Sequence, residues 1–140
     1  MRTLFDSSAF AKRYIAEKGS SVVDEICRNT TVLALSVLCA TEILSALNRR
    51  LREDRLSRKD YLTAKHSLSE DVADAEIINL TSGVISRATV LLEANELRAM
   101  DALHIACVLE WNADLFVSSD RRQIKAARRS GLSVRFVEPG

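Results

Sequence analysis

Four acidic side chains stand out because apolar residues surround each of them. Asp6 lies in TLFDSSAF, Glu42 in VLCATEILSAL and Asp101 in LRAMDALHIA, and Asp120 directly follows LFVSS. An ionised carboxylate in such surroundings is unfavourable by several kcal/mol unless a cation or hydrogen-bond donors meet it. Most of the other acids lie in charged stretches such as RRLREDRLSRKD, which indicates a solvated helix face. The four exceptions are therefore the candidates for chemistry.

Each of the four acids also has an ordinary structural explanation. Asp6 and Asp120 suit the N-cap position of a following helix. Glu42 could reach water from the margin of an apolar helix face. Asp101 lies in the opening turn of a predicted helix, where the helix dipole favours an anion. No one of them indicates a functional site by itself.

Carboxylates gathered in one crevice repel each other, so either some are protonated or a cation binds. Mg²⁺ and Mn²⁺ prefer oxygen ligands, and Mg²⁺ is usually held by a few carboxylates together with substrate phosphates. Two such ions about 4 Å apart activate water and stabilise the leaving oxygen of a phosphodiester. The four acids therefore predict a Mg²⁺ or Mn²⁺ site that performs phosphate chemistry, with Asp101 bound to the metal.

Short apolar runs that alternate with longer helical patterns must position these acids. The predicted strands cover residues 2–6, 31–35, 76–80, 114–118 and 132–138. The predicted helix N-caps are Ser36, Ser57, Thr81 or Ser82, and Ser119 or Asp120, and Gly131 marks the end of the last helix. This alternation predicts a parallel sheet covered by helices on both faces, with its functional crevice beyond the carboxyl ends of the strands. All four acids can face that crevice.

The chain of 140 residues is expected to form one domain, residues 1–140, with 47% hydrophobic and 28% charged residues. No apolar run approaches the roughly 20 residues of a membrane-spanning helix. The N-terminal segment MRTLFDSSAF lacks the apolar region of a signal peptide. The three cysteines are far apart and lie beside aliphatic residues, which is typical of buried, reduced thiols. We therefore expect a cytoplasmic protein.

Four segments together resemble the acidic motifs of PIN-domain ribonucleases, specifically the VapC-type toxins of type II toxin–antitoxin pairs. They are LFDSSAFAKRY, ATEILSAL, LRAMDALHIACVLE and FVSSDRRQIKAARRSGL, in this order. The resemblance extends from Leu4 to the C-terminus. It implies a PIN-like three-layer α/β/α sandwich with a five-stranded parallel sheet, and a Mg²⁺- or Mn²⁺-dependent endoribonuclease activity. It also implies a cognate VapB-like antitoxin as the neutralising partner.

By this resemblance the four acids, Asp6, Glu42, Asp101 and Asp120, take the places of the catalytic, metal-binding residues. The fourth position varies in identity within the family, so Asp120 could reach a metal through water or bind a second ion. Ser8 and Ser118 take the places of hydroxyl residues that support the acids or contact the substrate. His104, three residues after Asp101, is either a general base or a histidine hydrogen-bonded in the core.

The net charge of +1 conceals two basic stretches, residues 49–59 and 121–129. Arg49, Arg50, Arg121 and Arg122 are the candidates for RNA contacts, because phosphate neutralisation supplies most sequence-independent affinity. The alternative is that these arginines simply solvate helix faces. Aromatic residues make up only 5% of the chain, which argues against a wide base-stacking platform.

The helical patterns that follow Ser8 and Ser36 contain more apolar residues than a small core is expected to bury. Phe10, Tyr14, Ile15 and Leu51 are the examples. By resemblance, they would form a groove for the antitoxin and a homodimer face.

Two other functions remain open on the sequence. A metal-dependent phosphatase or phosphoacceptor also has an aspartate after its first strand. It needs a second aspartate two residues later, or an acid pair with a late lysine, whereas DSSAF has serines. A binding module with a structural ion, or an antitoxin-docking protein without turnover, would use the same acids without catalysis. DNA cleavage is a neighbouring possibility.

Overall fold

A computed structural model describes residues 1–140. The strands are β1 (Arg2–Phe5), β2 (Val32–Ser36), β3 (Glu76–Ile78), β4 (Leu115–Ser118) and β5 (Val134–Phe136). The helices are α1 (Ser7–Phe10), α2 (Ser20–Asn29), α3 (Cys39–Arg52), α4 (Arg58–Asp74), α5 (Ser82–Ala94), α6 (Ala99–Trp111) and α7 (Arg121–Arg129). A short 3₁₀ turn, Ala11–Arg13, follows α1.

All five strands are parallel and form one sheet in the order β3-β2-β1-β4-β5. The chain winds outward from β1 in one direction through β2 and β3, and β4 then pairs with the other side of β1. The strand order thus reverses between β1 and β4. In open α/β sheets, ligands bind beyond the carboxyl ends of the strands at such a switch point.

The sheet separates two hydrophobic cores. Leu4 and Phe116 pack on one face with α5, α6 and α7, whereas the following residues, Phe5 and Val117, pack on the other face with α1 to α4. This alternation follows from the two-residue period of side chains along a strand. The predicted three-layer α/β/α sandwich with a five-stranded parallel sheet is therefore confirmed.

The predicted helix boundaries are confirmed except at one position. The side chains of Ser57, Thr81 and Asp120 each cap a helix N-terminus by accepting backbone N–H groups. Gly131 lies just past α7 with a φ of 86°, the left-handed conformation that glycine adopts without strain. The prediction that Ser36 caps α3 was wrong, because β2 extends through Ser36 and α3 begins at Cys39.

The five predicted strands are all present, with four of them shorter than predicted.

The prediction that Phe10 contributes to an exposed apolar face is wrong. Its side chain is completely buried in the core, between Phe5 and Tyr14. Cys39 and Cys107 are buried free thiols, and Cys27 is a half-buried one. No helix combines the length and apolar character that crossing a membrane would require.

Leu47 on α3 tests the second core. It is fully buried, so Leu47→Ala should lower the free energy of unfolding by about 2–5 kcal/mol, through lost apolar burial and a residual cavity. Leu62→Ala on α4 is the control, because Leu62 is 50% exposed and its truncation should change stability by less than about 0.5 kcal/mol. Urea unfolding followed by circular dichroism measures both. Equal losses would contradict the assignment of Leu47 to the core.

Candidate functional site

Asp6 lies at the carboxyl end of the central strand and is completely buried. Its carboxylate caps α1 by accepting the Ala9 N–H at 2.9 Å. The Ser8 hydroxyl lies 2.7 and 2.9 Å from its two oxygens, and the Ser118 hydroxyl donates to Oδ2 at 2.8 Å. Burial nevertheless raises the pKa of Asp6, while the charge of His104 and these donors oppose the rise. No lysine or arginine forms an ion pair with Asp6.

Hydrogen bonds join the ends of β1 and β4 around this carboxylate. The Ser118 hydroxyl donates to Asp6 and accepts the backbone N–H of Asp120 at 2.9 Å. The backbone N–H of Ser119 donates to the Ser8 hydroxyl at 3.1 Å. The two serines predicted to support the acids, Ser8 and Ser118, therefore both contact Asp6, and Ser118 also orients the turn that carries Asp120.

Asp101 lies close enough to Asp120 for the charge of Asp120 to act on its carboxyl group. Burial raises the pKa of Asp101, and the negative charge of Asp120 raises it further. Gln123 lies between them: its Nε2 donates to Asp101 Oδ1 at 2.9 Å, and its backbone N–H donates to Asp120 Oδ1 at 3.4 Å. Asp101 therefore meets an amide and another acid, and no cation of the chain pairs with it.

Glu42 belongs to a second hydrogen-bonded group at the start of α3. Its Oε1 lies 2.5 Å from His104 Nε2 and accepts the Ser7 hydroxyl at 2.6 Å. Burial alone would raise the pKa of Glu42, but the bonds from His104 and Ser7 hold it below its usual value. His104 is 2% exposed, and its Nδ1 lies 3.1 Å from the Ser36 hydroxyl. Both ring nitrogens are thus engaged, which agrees with a histidine hydrogen-bonded in the core.

The structure brings all four acids to the region beyond the carboxyl ends of β1, β2 and β4, but it does not gather them into one cluster. No three acidic, histidine or cysteine side chains lie in an arrangement that could hold one metal. The donor set still fits Mg²⁺ or Mn²⁺, because Mg²⁺ commonly takes only one or two carboxylates and retains several waters. The buried Gln123 Oε1 and Ser119 Oγ lack protein partners, so polar groups remain available at this edge.

The four candidate arginines lie in different electrostatic surroundings. Arg50 is already paired with Glu17 at 3.6 Å, and Arg49 is exposed on the same helix. The Arg121 guanidinium stacks over the Phe136 ring, 4.4 Å from its centroid. Arg122 is exposed and lines a groove with Glu93 and Glu96.

Three residues of the site were not predicted from the sequence: Ser7, Ser36 and Gln123. Ser36 was interpreted as a helix cap, although its hydroxyl contacts His104. Ser7 follows Asp6 directly, and nothing local distinguishes its partner, Glu42, which is 35 residues away. Gln123 did carry a signal, because a glutamine three residues after an N-cap Asp occupies the capping-box position and faces back toward the helix start.

Comparisons with known proteins place this chain in a family. The PIN domain family profile matches residues 3–129. Ribonuclease VapC45 of Mycobacterium tuberculosis strain CDC 1551 is 30% identical over 132 residues, which cover 93% of this chain and 92% of that protein. Ribonuclease VapC49 of strain H37Rv of the same species matches equally well. The chain therefore belongs to the PIN domain family.

Solved structures with lower identity share the fold. Mycobacterium tuberculosis VapC20, described as a Sarcin-Ricin loop cleaving toxin, superposes with a TM-score of 0.67 at 16% identity, over 89% of this chain and 94% of that one. DNA-bound VapBC from Salmonella typhimurium superposes with a TM-score of 0.71 at 8% identity, over 97% and 98% of the two chains.

Ser118 offers a test of how the Asp6 carboxylate is held. Ser118→Ala removes a buried donor to Asp6 and the acceptor of the Asp120 N–H, so it should lower the free energy of unfolding by about 1–3 kcal/mol. Ser69→Ala is the matched control, because Ser69 is exposed on α4 and bonds only to the Lys65 carbonyl of its own helix. Urea unfolding of both variants measures the difference. A Ser118 variant as stable as the control would contradict this role.

Proposed function

We propose that residues 1–140 act as one PIN domain, a metal-dependent endoribonuclease that hydrolyses RNA phosphodiester bonds. Asp6, Glu42, Asp101 and Asp120 are its catalytic and metal-binding residues, with Mg²⁺ or Mn²⁺ as the ion. The two curated relatives at 30% identity are both named ribonucleases, which supports RNA as the substrate. The arrangement of the acids supports the metal.

The observation that carries the proposal is a group of three carboxylates without ion-pair partners at the switch point of the sheet. Asp6 is fully buried, and Asp101 lies against Asp120, yet none of the three has an ion-pair partner within the chain. A purely structural role as helix cap would account for Asp6 and Asp120 separately. It would not account for the placement of Asp101 beside Asp120, where the two charges raise each other's energy.

A divalent ion bound there would neutralise the acids, activate a water molecule and stabilise the leaving oxygen. The protein's own part is to hold each carboxylate in place. Ser8 and Ser118 fix both oxygens of Asp6, and Gln123 fixes one oxygen of Asp101 and leaves the other free of side-chain hydrogen bonds. Ser7 and His104 both contact one oxygen of Glu42.

A VapB-like antitoxin and a second copy of the chain are the proposed protein partners. One structural neighbour is a toxin–antitoxin complex from Klebsiella pneumoniae, and another is VapBC2 from Rickettsia felis bound to a DNA fragment from its promoter. Exposed apolar side chains near the site and along α5 offer surfaces for such contacts. They are Val37, Ile85, Val90, Leu92 and Met100.

Cleavage of RNA tests the proposed activity. Purified protein without antitoxin should make discrete cuts in total cellular RNA with Mg²⁺ or Mn²⁺, mapped by sequencing of the new ends. Asp101→Asn should reduce the rate by at least about 100-fold, because it removes a carboxylate from the site. Asp54→Asn is the control, since Asp54 is exposed and its left-handed backbone suits asparagine.

Cuts that survive both a chelator and the Asp101 substitution would contradict the proposal. Folded protein that cuts only DNA, or hydrolyses only phosphomonoesters, would replace it with another phosphate chemistry. Folded protein that binds its antitoxin but cuts no nucleic acid would indicate a docking module.

Metal binding can be tested without turnover. An ion that binds only the folded state adds about 2.7 kcal/mol of stability at 100 times its Kd, so Mn²⁺ should raise the Tm of the protein in a concentration-dependent way. Asp101→Asn should weaken this rise, whereas Asp54→Asn should preserve it. Thermal unfolding monitored by circular dichroism gives both values. Identical Mn²⁺ responses in the two variants would exclude Asp101 as a ligand.

A further inference from the structure

The last long helix, α7, separates charged from neutral residues completely. Its exposed positions are all basic, and its buried positions, Gln123, Ile124, Ala126 and Ala127, are all neutral. We name the exposed set the α7 cationic face: Arg121, Arg122, Lys125, Arg128 and Arg129. The burial of Ile124 and the alanines explains why the helix packs on the sheet, but packing alone does not require five cations outside.

None of these five cations forms an ion pair within the chain. In the other basic stretch, two of the six cations are paired, Arg50 with Glu17 and Arg55 with Glu53. Unpaired cations clustered on one surface repel each other and attract polyanions. The α7 cationic face therefore has the charge that a phosphate backbone would neutralise.

Two grooves flank this face, and their charges differ. The β5-side groove, of about 410 Å³, contains cations and apolar residues but no acid: Arg121, Ile124, Lys125, Arg128, Arg129 and Phe136. The α5-side groove, of about 500 Å³, also contains Glu93 and Glu96. Those two acids would repel a phosphate backbone. The β5-side groove is therefore the better path for a polyanion.

The β5-side groove also contains a flat surface suited to a nucleic-acid base. The Arg121 guanidinium lies over the Phe136 ring at 4.4 Å, which holds its plane in position. Bases of single-stranded RNA stack on arginine planes as well as on aromatic rings. Arg121, Lys125 and Arg128 are spaced at positions i, i+4 and i+7 of α7. They therefore lie on one side of the helix, over a length of about 10 Å.

The groove begins at the candidate site, because Arg121 directly follows Asp120. We propose that the β5-side groove binds the single-stranded RNA segment adjacent to the cleaved bond, with Arg121 and Arg128 contacting phosphates and Arg121 also stacking a base. The α5-side groove, with Arg122, does not bind RNA. This inference rests on the proposed ribonuclease function and specifies where its substrate lies.

Salt-dependent RNA binding tests the inference. All proteins carry Asp101→Asn, and a chelator is present, so that the probe stays intact. The probe is a fluorescein-labelled oligouridylate of about 12 nucleotides, long enough to cover a single-strand site. We compare two double variants that each remove two positive charges. The first, Arg121→Gln/Arg128→Gln, removes both from the β5-side groove. The second, Arg122→Gln/Arg58→Gln, removes one from the α5-side groove and one from the exposed start of α4. Fluorescence anisotropy gives Kd at several salt concentrations.

Each lost phosphate contact lowers the magnitude of the slope of log K against log salt by about 0.7 for single strands. The magnitude of this slope should therefore be about 1.4 smaller in the first double variant. The second double variant should retain the slope of the parent protein. Phe136→Leu removes no charge, so it should keep the slope and weaken binding at every salt concentration. Unchanged binding by Phe136→Leu would overturn the stacking role of Arg121.

Equal losses in the two double variants would overturn the inference in favour of general charge attraction. No loss in either would place the RNA elsewhere and overturn it as well. A parent protein that does not bind the probe would also overturn it. Cleavage by the unsubstituted enzyme in the total-RNA assay then decides separately whether the proposed function stands, because that assay detects cut RNA wherever the substrate binds.

Discussion

The burial of one carboxylate, that of Asp6, constrains the whole carboxyl edge of the sheet. A fully buried carboxylate without an ion-pair partner needs several donors, and here they come from two elements: the Ala9 N–H and the Ser8 hydroxyl of α1, and the Ser118 hydroxyl of β4. The same bonds start α1 and join β1 to β4, the pair at which the strand order reverses. Fold and site therefore depend on each other, since the donors that stabilise Asp6 also fix the crevice where a ligand binds.

Much of this arrangement was predictable, because strand and helix signals are local. Each strand is an apolar run bounded by polar residues, and Ser57, Thr81 and Asp120 cap helices as residues of their type commonly do. Ser36 shows where local reasoning failed. Its hydroxyl does accept a nearby backbone N–H, that of Leu38, but the strand continues through it and its other partner is His104, 68 residues away.

The acids of the candidate site were predictable as types and positions. Two partners of Asp6, Ser8 and Ser118, were predicted by resemblance, whereas the partners of Glu42 and Asp101 were not. An acid in an apolar segment is anomalous in any fold, so Asp101 could be identified without knowledge of its neighbours. Its contact with Gln123, which is 22 residues further along the chain, joins two helices, and only the packing of α6 against α7 determines it. Phe10 illustrates the same limit for the core, because its complete burial depends on how α1 packs on β1.

The near-neutral net charge of the chain conceals two opposed surfaces, and the proposed ribonuclease function would explain why both are present. A crevice with three unpaired carboxylates repels an RNA backbone, so carboxylates alone would bind a metal but exclude the substrate. A neighbouring cationic surface must offset this repulsion while staying far enough away not to neutralise the acids. Helix α7 meets both conditions, because Asp120 caps its start and unpaired cations occupy its exposed side. The separation of charge along one helix thus places unpaired cations directly beside the acidic edge, where the proposed function requires both a metal ion and a polyanion to bind.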